Sequence, residues 1–300
     1  MGRELEGRVV RSVLNGDMTC EYEIEIPDDI MQTYVIQKDQ DIVVSNYYHY
    51  YKMFAKSDII NLYEGSVSWI IPYEGEKGPS IAFRVRLNEE NAETELKTFI
   101  QGIQEGKVPQ IWHITPDTTP DNMIDIMKRN GFKDMSEGAP CPEPAMSLHK
   151  NDFVPYTEEN SHIICQKVCT KEDFKEWIDV VNTALHGWEM IDAEHYFTWV
   201  EGNHINIYLA RINGVAVSTC ATIQNGNTAS LEFVSTLKEY RRKKAAASLC
   251  SCAIDDLLKN GAEVVTLGVC GQSAYLYEGL GFKKCFNNIV MEFSLENNIQ

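Results

Sequence analysis

Apolar residues recur at helical spacing through Phe174, Trp177, Ile178, Val181 and Leu185. Thr170 and Asp173 stand just before them, in the form of a helix capping box. Around this helix the pattern becomes alternating or continuously apolar. It predicts a strand over 162–168, a second helix over 192–200, and strands over 205–212, 215–223 and 229–234. Asn213-Gly214 and Gly226-Asn227 supply the turns between these three strands. A long helix is expected from about 245 to 258, stopped at Asn260 and Gly261. A buried strand over 264–269, a short helix from Ser273 and a last strand over 289–293 complete an order of β-α-α-β-β-β-α-β-α-β.

The first half of the chain carries a fainter version of the same pattern. A strand over 111–116 leads to a helix over 120–130, then Gly131-Phe132-Lys133, then a strand over 145–148. The later counterpart is the 264–269 strand, the short helix, Gly281-Phe282-Lys283 and the last strand. This predicts a half-repeat. A polar, turn-rich stretch over 151–161 divides the two halves, giving expected domains of 1–155 and 156–300. Near the start of the expected helix in the first half, Glu89, Glu90 and Glu93 would repel phosphate. The first half therefore reads as a non-catalytic accessory domain. Its aromatic cluster of Tyr47, Tyr48, Tyr50, Tyr51 and Phe54 suits either a pocket wall or core and interdomain packing.

Three hundred residues suffice for two domains with real cores. The formal net charge of -17 disfavours nucleic acid as a partner, and no apolar run reaches the roughly 20 residues of a membrane helix. The first residues lack the basic-then-apolar form of a signal peptide. The nine cysteines are odd in number and irregular in spacing, with no Cys-x2-Cys pair. That pattern predicts reduced core thiols in a cytoplasmic protein and no metal site.

The chemistry concentrates in one stretch. A strand containing Glu232, Val234 and Thr236 runs into Arg241, Arg242, Lys243 and Lys244, and a helix opens with Ala245, Ala246 and Ala247. Four cations, a positive helix terminus and uncovered backbone N–H groups suit a pyrophosphate. Further on come Ser273, Tyr275, Tyr277, Gly281 and Phe282. Together these segments resemble the GNAT superfamily, whose members transfer acyl groups from coenzyme A, usually to amines. The resemblance covers about 162–294.

It implies an α/β (α+β) fold, with a GNAT-like mixed central sheet flanked by helices in a tandem arrangement. The family motif Arg/Gln-x-x-Gly-x-Gly/Ala falls on 241–246. Lys244 occupies the first glycine's place: its charge aids phosphate binding if it points outward, and obstructs the cradle or strains the backbone if it does not. Lys238 replaces a frequent proline upstream. The resemblance assigns cofactor contacts to Val234, Thr236, Arg241, Arg242, Lys243, Lys244, Ala245, Ala246, Ala247 and Ser273. It makes Tyr277 the acid that protonates the departing thiolate, with Tyr275 facing elsewhere. Glu232 is the candidate base for the amine, against the plainer reading of an exposed strand residue. His186, Trp188, Glu189, Asp192, His195 and Tyr196 fall where the family shapes its acceptor site. Cys270 reads as a core thiol rather than a nucleophile.

The expected activity is an acetyl-CoA-dependent N-acetyltransferase acting on a small-molecule amine by direct attack on the thioester. The alternative is a catalytically degenerate GNAT-like protein that binds a ligand or partner. Transfer from aminoacyl-tRNA requires a basic surface that the acidic composition disfavours. The acceptor and the oligomeric state are not readable from the sequence.

Overall fold

The computed structural model describes residues 7–11, 21–24, 28–137, 142–157, 162–269 and 273–295. Cys20, Cys141 and Cys270 lie outside them. Contacts divide the chain into Met1–Asp41 and Ile42–Gln300. In the first unit, β1 (Gly7–Arg11) pairs antiparallel with β2 (Glu21–Ile24), and helix α1 (Asp28–Phe54) begins.

The second unit is built on two mixed sheets flanked by helices. Its first half runs β3 (Ile60–Tyr63), β4 (Ser68–Pro72), β5 (Ile81–Phe83), α2 (Ala92–Gln104), β6 (Ile111–Ile114), α3 (Met123–Arg129), β7 (Phe132–Asp134) and β8 (Pro144–His149). Then follow β9 (Ile163–Lys167), α4 (Lys171–Val181), α5 (Ala193–Tyr196), α6 (Thr198–Glu201), β10 (Asn206–Ile212), β11 (Val215–Asn225) and β12 (Thr228–Thr236). The chain continues through α7 (Ala245–Lys259), β13 (Val264–Gly268), α8 (Ala274–Gly279), β14 (Lys283–Asn287) and β15 (Ile289–Phe293). Among the described residues no helix is long and apolar enough to cross a membrane.

The strand orders are β14-β8-β13-β12-β11-β10-β9 and β3-β4-β5-β6-β15-β7. The half-repeat expected from Gly-Phe-Lys is visible in this topology. In each sheet a strand, a helix and a parallel strand follow in sequence: β12-α7-β13 in one, β5-α2-β6 in the other. A second helix and the Gly-Phe-Lys strand come next. The strand inserted in the sheet between that parallel strand and the Gly-Phe-Lys strand belongs to the opposite half. β8 enters the second-half sheet and β15 enters the first-half sheet.

This exchange corrects the expectation that the strand at 289–293 closes the sheet of 162–294. β15 has the right bounds but leaves that sheet, because Met291 and Phe293 pair with Trp112, Asp134 and Phe132 and complete the first-half core. Neither sheet is contiguous in sequence, so 155/156 divides chain order while each sheet takes a strand across it.

Local chemistry explains most elements. Thr170 caps α4 by accepting from the Asp173 backbone N–H at 3.1 Å, as its capping box predicts. The helix expected over 192–200 is two short helices meeting at Phe197. α1 escaped the periodicity because its contacts are not confined to one apolar stripe. Val43, Val44, Tyr47, Met53 and Phe54 are buried, as is the polar Asn46. The Asn46 amide donates to the Ala229 carbonyl at 3.1 Å and to Thr266 Oγ1 at 3.0 Å, and its Oδ1 accepts from Thr228 Oγ1 at 3.0 Å. These bonds fasten α1 to β12 and β13.

Candidate active site

The site begins where β12 leaves its neighbours. Pairing with β11 runs from Thr219↔Ser235 to Ala221↔Glu232, so two residues, Phe233 and Val234, oppose Cys220 alone. This is a β-bulge, with Phe233 at φ 52°. A phenylalanine holds that left-handed conformation because its ring is buried against Trp177, Trp199 and Phe54. Thr219 Oγ1 also donates to the Phe233 carbonyl at 2.8 Å. On the other side, pairing with β13 ends at Ser230↔Thr266. β13 continues instead along β8, with the Val269 N–H donating to the Pro144 carbonyl at 3.0 Å. A V-shaped opening results, with Val234 and Thr236 on its β12 edge.

The turn after β12 carries the basic run. Arg241 Nε donates back to the Thr236 carbonyl at 3.2 Å, tying the turn to the end of the bulged strand. Arg242 and Lys244 have φ of 60° and 71°. Lys244 thus adopts the left-handed conformation that a glycine would take without cost, directly before α7. Its ammonium lies 5.8 Å from the ring centre of Tyr156, whose backbone N–H is bonded to Ser251 farther along α7. Lys243 lies over Tyr240 at 4.7 Å. No side chain caps the helix, and its first N–H groups have no acceptor within the helix. Ala245, Ala246 and Ala247 bring only methyl groups to this terminus, while all four cations are exposed. The donors and charges therefore fit a pyrophosphate. Ser273 stands immediately before α8 without a capping bond of its own. In the first half, α2 instead carries Glu93 and Glu95 in its first turn.

A cavity of about 230 Å³ lies where the two sheets meet under α1. Tyr47, Tyr50 and Tyr51 reach it from one side of α1. Glu232 reaches it from β12, His113 from β6, and Gly268 from the end of β13. The strand exchange builds its remaining wall. Glu143 precedes β8, Asn288 precedes β15, and where the two cross, the Asn288 N–H donates to the Glu143 carbonyl at 2.8 Å.

Glu232 is half-buried as a residue, but its Oε1 is enclosed and has no hydrogen-bond partner. Burial pushes its carboxyl up to about 8, against a smaller opposing effect of a bond with Ser230. Burial likewise raises Tyr47, Tyr50 and Tyr51, with the nearby Glu232 charge adding to the rise in each. His113 is held down at about 4 by burial and is neutral. Its Nε2 lies 3.1 Å from Asn288 Oδ1, an acceptor, so Nε2 carries the proton and Nδ1 accepts from the Tyr51 hydroxyl at 2.9 Å.

Tyr277 lies on α8, buried edge-on to Phe282 and packed in the core beneath α7. Burial raises its phenol well above the ordinary value, followed by the influence of Cys250, Cys220 and Glu232. It stays protonated and able to donate. Tyr275 is exposed. Of the two residues with expected catalytic roles, Glu232 lines the cavity and Tyr277 stands outside its wall.

The acceptor-region residues are not brought to Glu232. Trp188, Glu189 and Asp192 line a separate groove beside α4. Asp192 caps α5 and bonds His195 Nδ1 at 3.0 Å, Glu189 pairs with Lys77, and Tyr196 is buried against Trp199. His113, Glu143, Gly268 and Asn288 were missed because each is separated in sequence from any motif. Glu232 and the aromatic spacing on α1 were the sequence signals that pointed to this cavity.

Two mixed α/β sheets, one with a bulged, splayed strand feeding a helix N-terminus, define the class of protein. Residues 171–282 match the model of the acetyltransferase (GNAT) family. A GCN5-related N-acetyltransferase from Kribbella flavida superposes with a TM-score of 0.65 at 15% identity, over 84% of this chain and 97% of that one. One from Sphaerobacter thermophilus gives 0.55 at 15% identity, over 75% and 79%. A tandem GNAT protein from the clavulanic acid biosynthesis pathway gives 0.54 at 9% identity, over 78% and 83%. At these identities the likeness is one of fold. No curated protein matches the sequence.

Proposed function

We propose that this chain is a cytoplasmic N-acyltransferase that moves an acetyl group from acetyl-CoA to a small-molecule amine. The observation that carries the reading is that β12 borders both the opening and the cavity. Its bulged edge, with Val234 and Thr236, borders the V-shaped opening, and Glu232 on the same strand borders the cavity. Backbone groups along the opening bind the pantetheine chain as an added strand would. The turn at 241–247 and Ser273 bind the phosphates. Bound acetyl-CoA supplies the thioester carbonyl.

Glu232 accepts the proton of the amine as it attacks, a role suited by a carboxyl near 8. Tyr277, held protonated, donates toward the thiolate. The accessory half contributes α1, β5 and β6 to the acceptor side. Lys244 supports this reading over a degenerate binder, because its backbone adopts the left-handed conformation that the motif glycine would take.

The test is calorimetric titration of the purified chain with acetyl-CoA and coenzyme A, followed by thiol release with amines. Micromolar binding and acceptor-dependent release are expected. Absence of both refutes transfer, and binding without release under any amine favours the degenerate reading.

A further inference from the structure

The same cavity carries information about what enters it, and the inference below rests on the acyltransferase reading. One enclosed polar atom, Glu232 Oε1, borders it without a hydrogen-bond partner, while Tyr47 Oη stands beside Asn288. A buried polar atom left unpaired is costly, so Glu232 Oε1 marks a place where a ligand supplies the missing partner, an N–H.

The ionisable groups of the wall are acids rather than cations. Glu232 and Glu143 both line the wall, and among its described lining residues there is no Lys or Arg. His113 offers no positive charge, since it is buried, neutral and engaged by Tyr51 and Asn288 on its two ring nitrogens. The rest of the lining is aromatic or aliphatic: the tyrosine rings of α1, Ile81 and Val290. Ring faces beside carboxylates attract an ammonium group. A carboxylate brought into this space meets two acids and no cation, and loses its water without compensation.

The cavity, about 230 Å³ and open to solvent, lies below the usual size range for drug-sized ligands.

We infer that the acceptor is a compact primary monoamine with an apolar or aromatic body and no carboxylate, its nitrogen at Glu232 and its body against the α1 tyrosines. Free amino acids are disfavoured by the acidic wall.

The experiment measures equilibrium binding of matched amines to the full chain by calorimetry, with and without coenzyme A. 2-Phenylethylamine is compared with L-phenylalanine, which adds only the carboxylate, and with kanamycin as a large polyamine. Expected is binding of 2-phenylethylamine at least about tenfold tighter than either, since tenfold is about 1.4 kcal/mol and one uncompensated charge exceeds that. Glu232→Gln is expected to weaken 2-phenylethylamine about tenfold. Glu143→Gln, at an exposed position, is expected to narrow the preference over phenylalanine even if the first variant folds poorly. Equal binding of the two matched ligands, a preference for phenylalanine or kanamycin, or no detectable binding of 2-phenylethylamine overturns the assignment. Tight, selective binding without acetyl transfer leaves the assignment standing and overturns the acyltransferase reading alone.

Discussion

Tyr47 Oη lies 2.8 Å from the place where a Cβ on Gly268 would stand, so the end of β13 accepts this phenol only because it has no side chain there. Asn288 Nδ2 is 3.3 Å from the same point. The buried Tyr47 ring packs edge-on against His113 and has little room to retreat. Gly268→Ala is therefore expected to cost about 1–3 kcal/mol in chemical denaturation, as other overpacking substitutions do. Displacing Tyr47 into the cavity is expected to raise the acceptor KM about tenfold. An unchanged KM would remove Tyr47 from the acceptor wall.

Glu232 links activity and stability to pH in opposite senses. As a base it must be ionised, so kcat/KM is expected to fall about tenfold per pH unit below about 8. Glu232→Gln removes that limb of the profile along with most activity. For stability, burial pushes the folded carboxyl up to about 8 from its ordinary 4.5. The folded state holds this proton more tightly. Its contribution is complete below about 4.5 and is lost as pH rises through about 8. Glu232→Gln is thus expected to melt at least about 2 °C above the parent at pH 9, with a smaller difference at pH 5. Equal differences at both pH values would show that the carboxyl is not buried as described.

Tyr277→Phe keeps the edge-on contact with Phe282 and deletes the donor. Turnover is expected to fall about 100-fold while acetyl-CoA affinity changes less than about threefold. Stopped-flow or steady-state thiol release separates the two. Parental kinetic constants in the variant would assign the proton to another group.

The basic turn separates charge from conformation. Arg241→Ala removes a cation and the bond to Thr236, and is expected to weaken coenzyme A about tenfold, about 1.4 kcal/mol. Lys244→Gly relieves a left-handed residue that costs about 1–2 kcal/mol. It is expected to raise the melting temperature by about 2–4 °C and to leave coenzyme A affinity within about threefold. A loss of affinity in Lys244→Gly as large as in Arg241→Ala would show that the lysine holds phosphate directly.

The second-half pattern was legible because its signals are local. Thr170 with Asp173, Asn213-Gly214 and Gly226-Asn227 fix a cap and two turns within a few residues. Basic residues before three alanines mark the helix terminus whatever surrounds them. β14 was invisible because Lys283, Lys284 and Asn287 make it polar, and its pairing partner β8 comes from the other half. α1 was invisible for the opposite reason, being held by polar and aromatic contacts that no single stripe reveals.

The sequence by itself determined most elements of the second half, the half-repeat and the basic turn, since capping, turn chemistry and periodicity act over a few residues. Only the tertiary structure decided that β8 and β15 change sheets, because their apolar faces are satisfied by whichever core completes around them. From that exchange came the cavity, which joins Glu143 and Asn288 at the crossing to Tyr47, His113 and Glu232. The pKa of Glu232 was decided there too, because desolvation depends on what encloses a side chain in space.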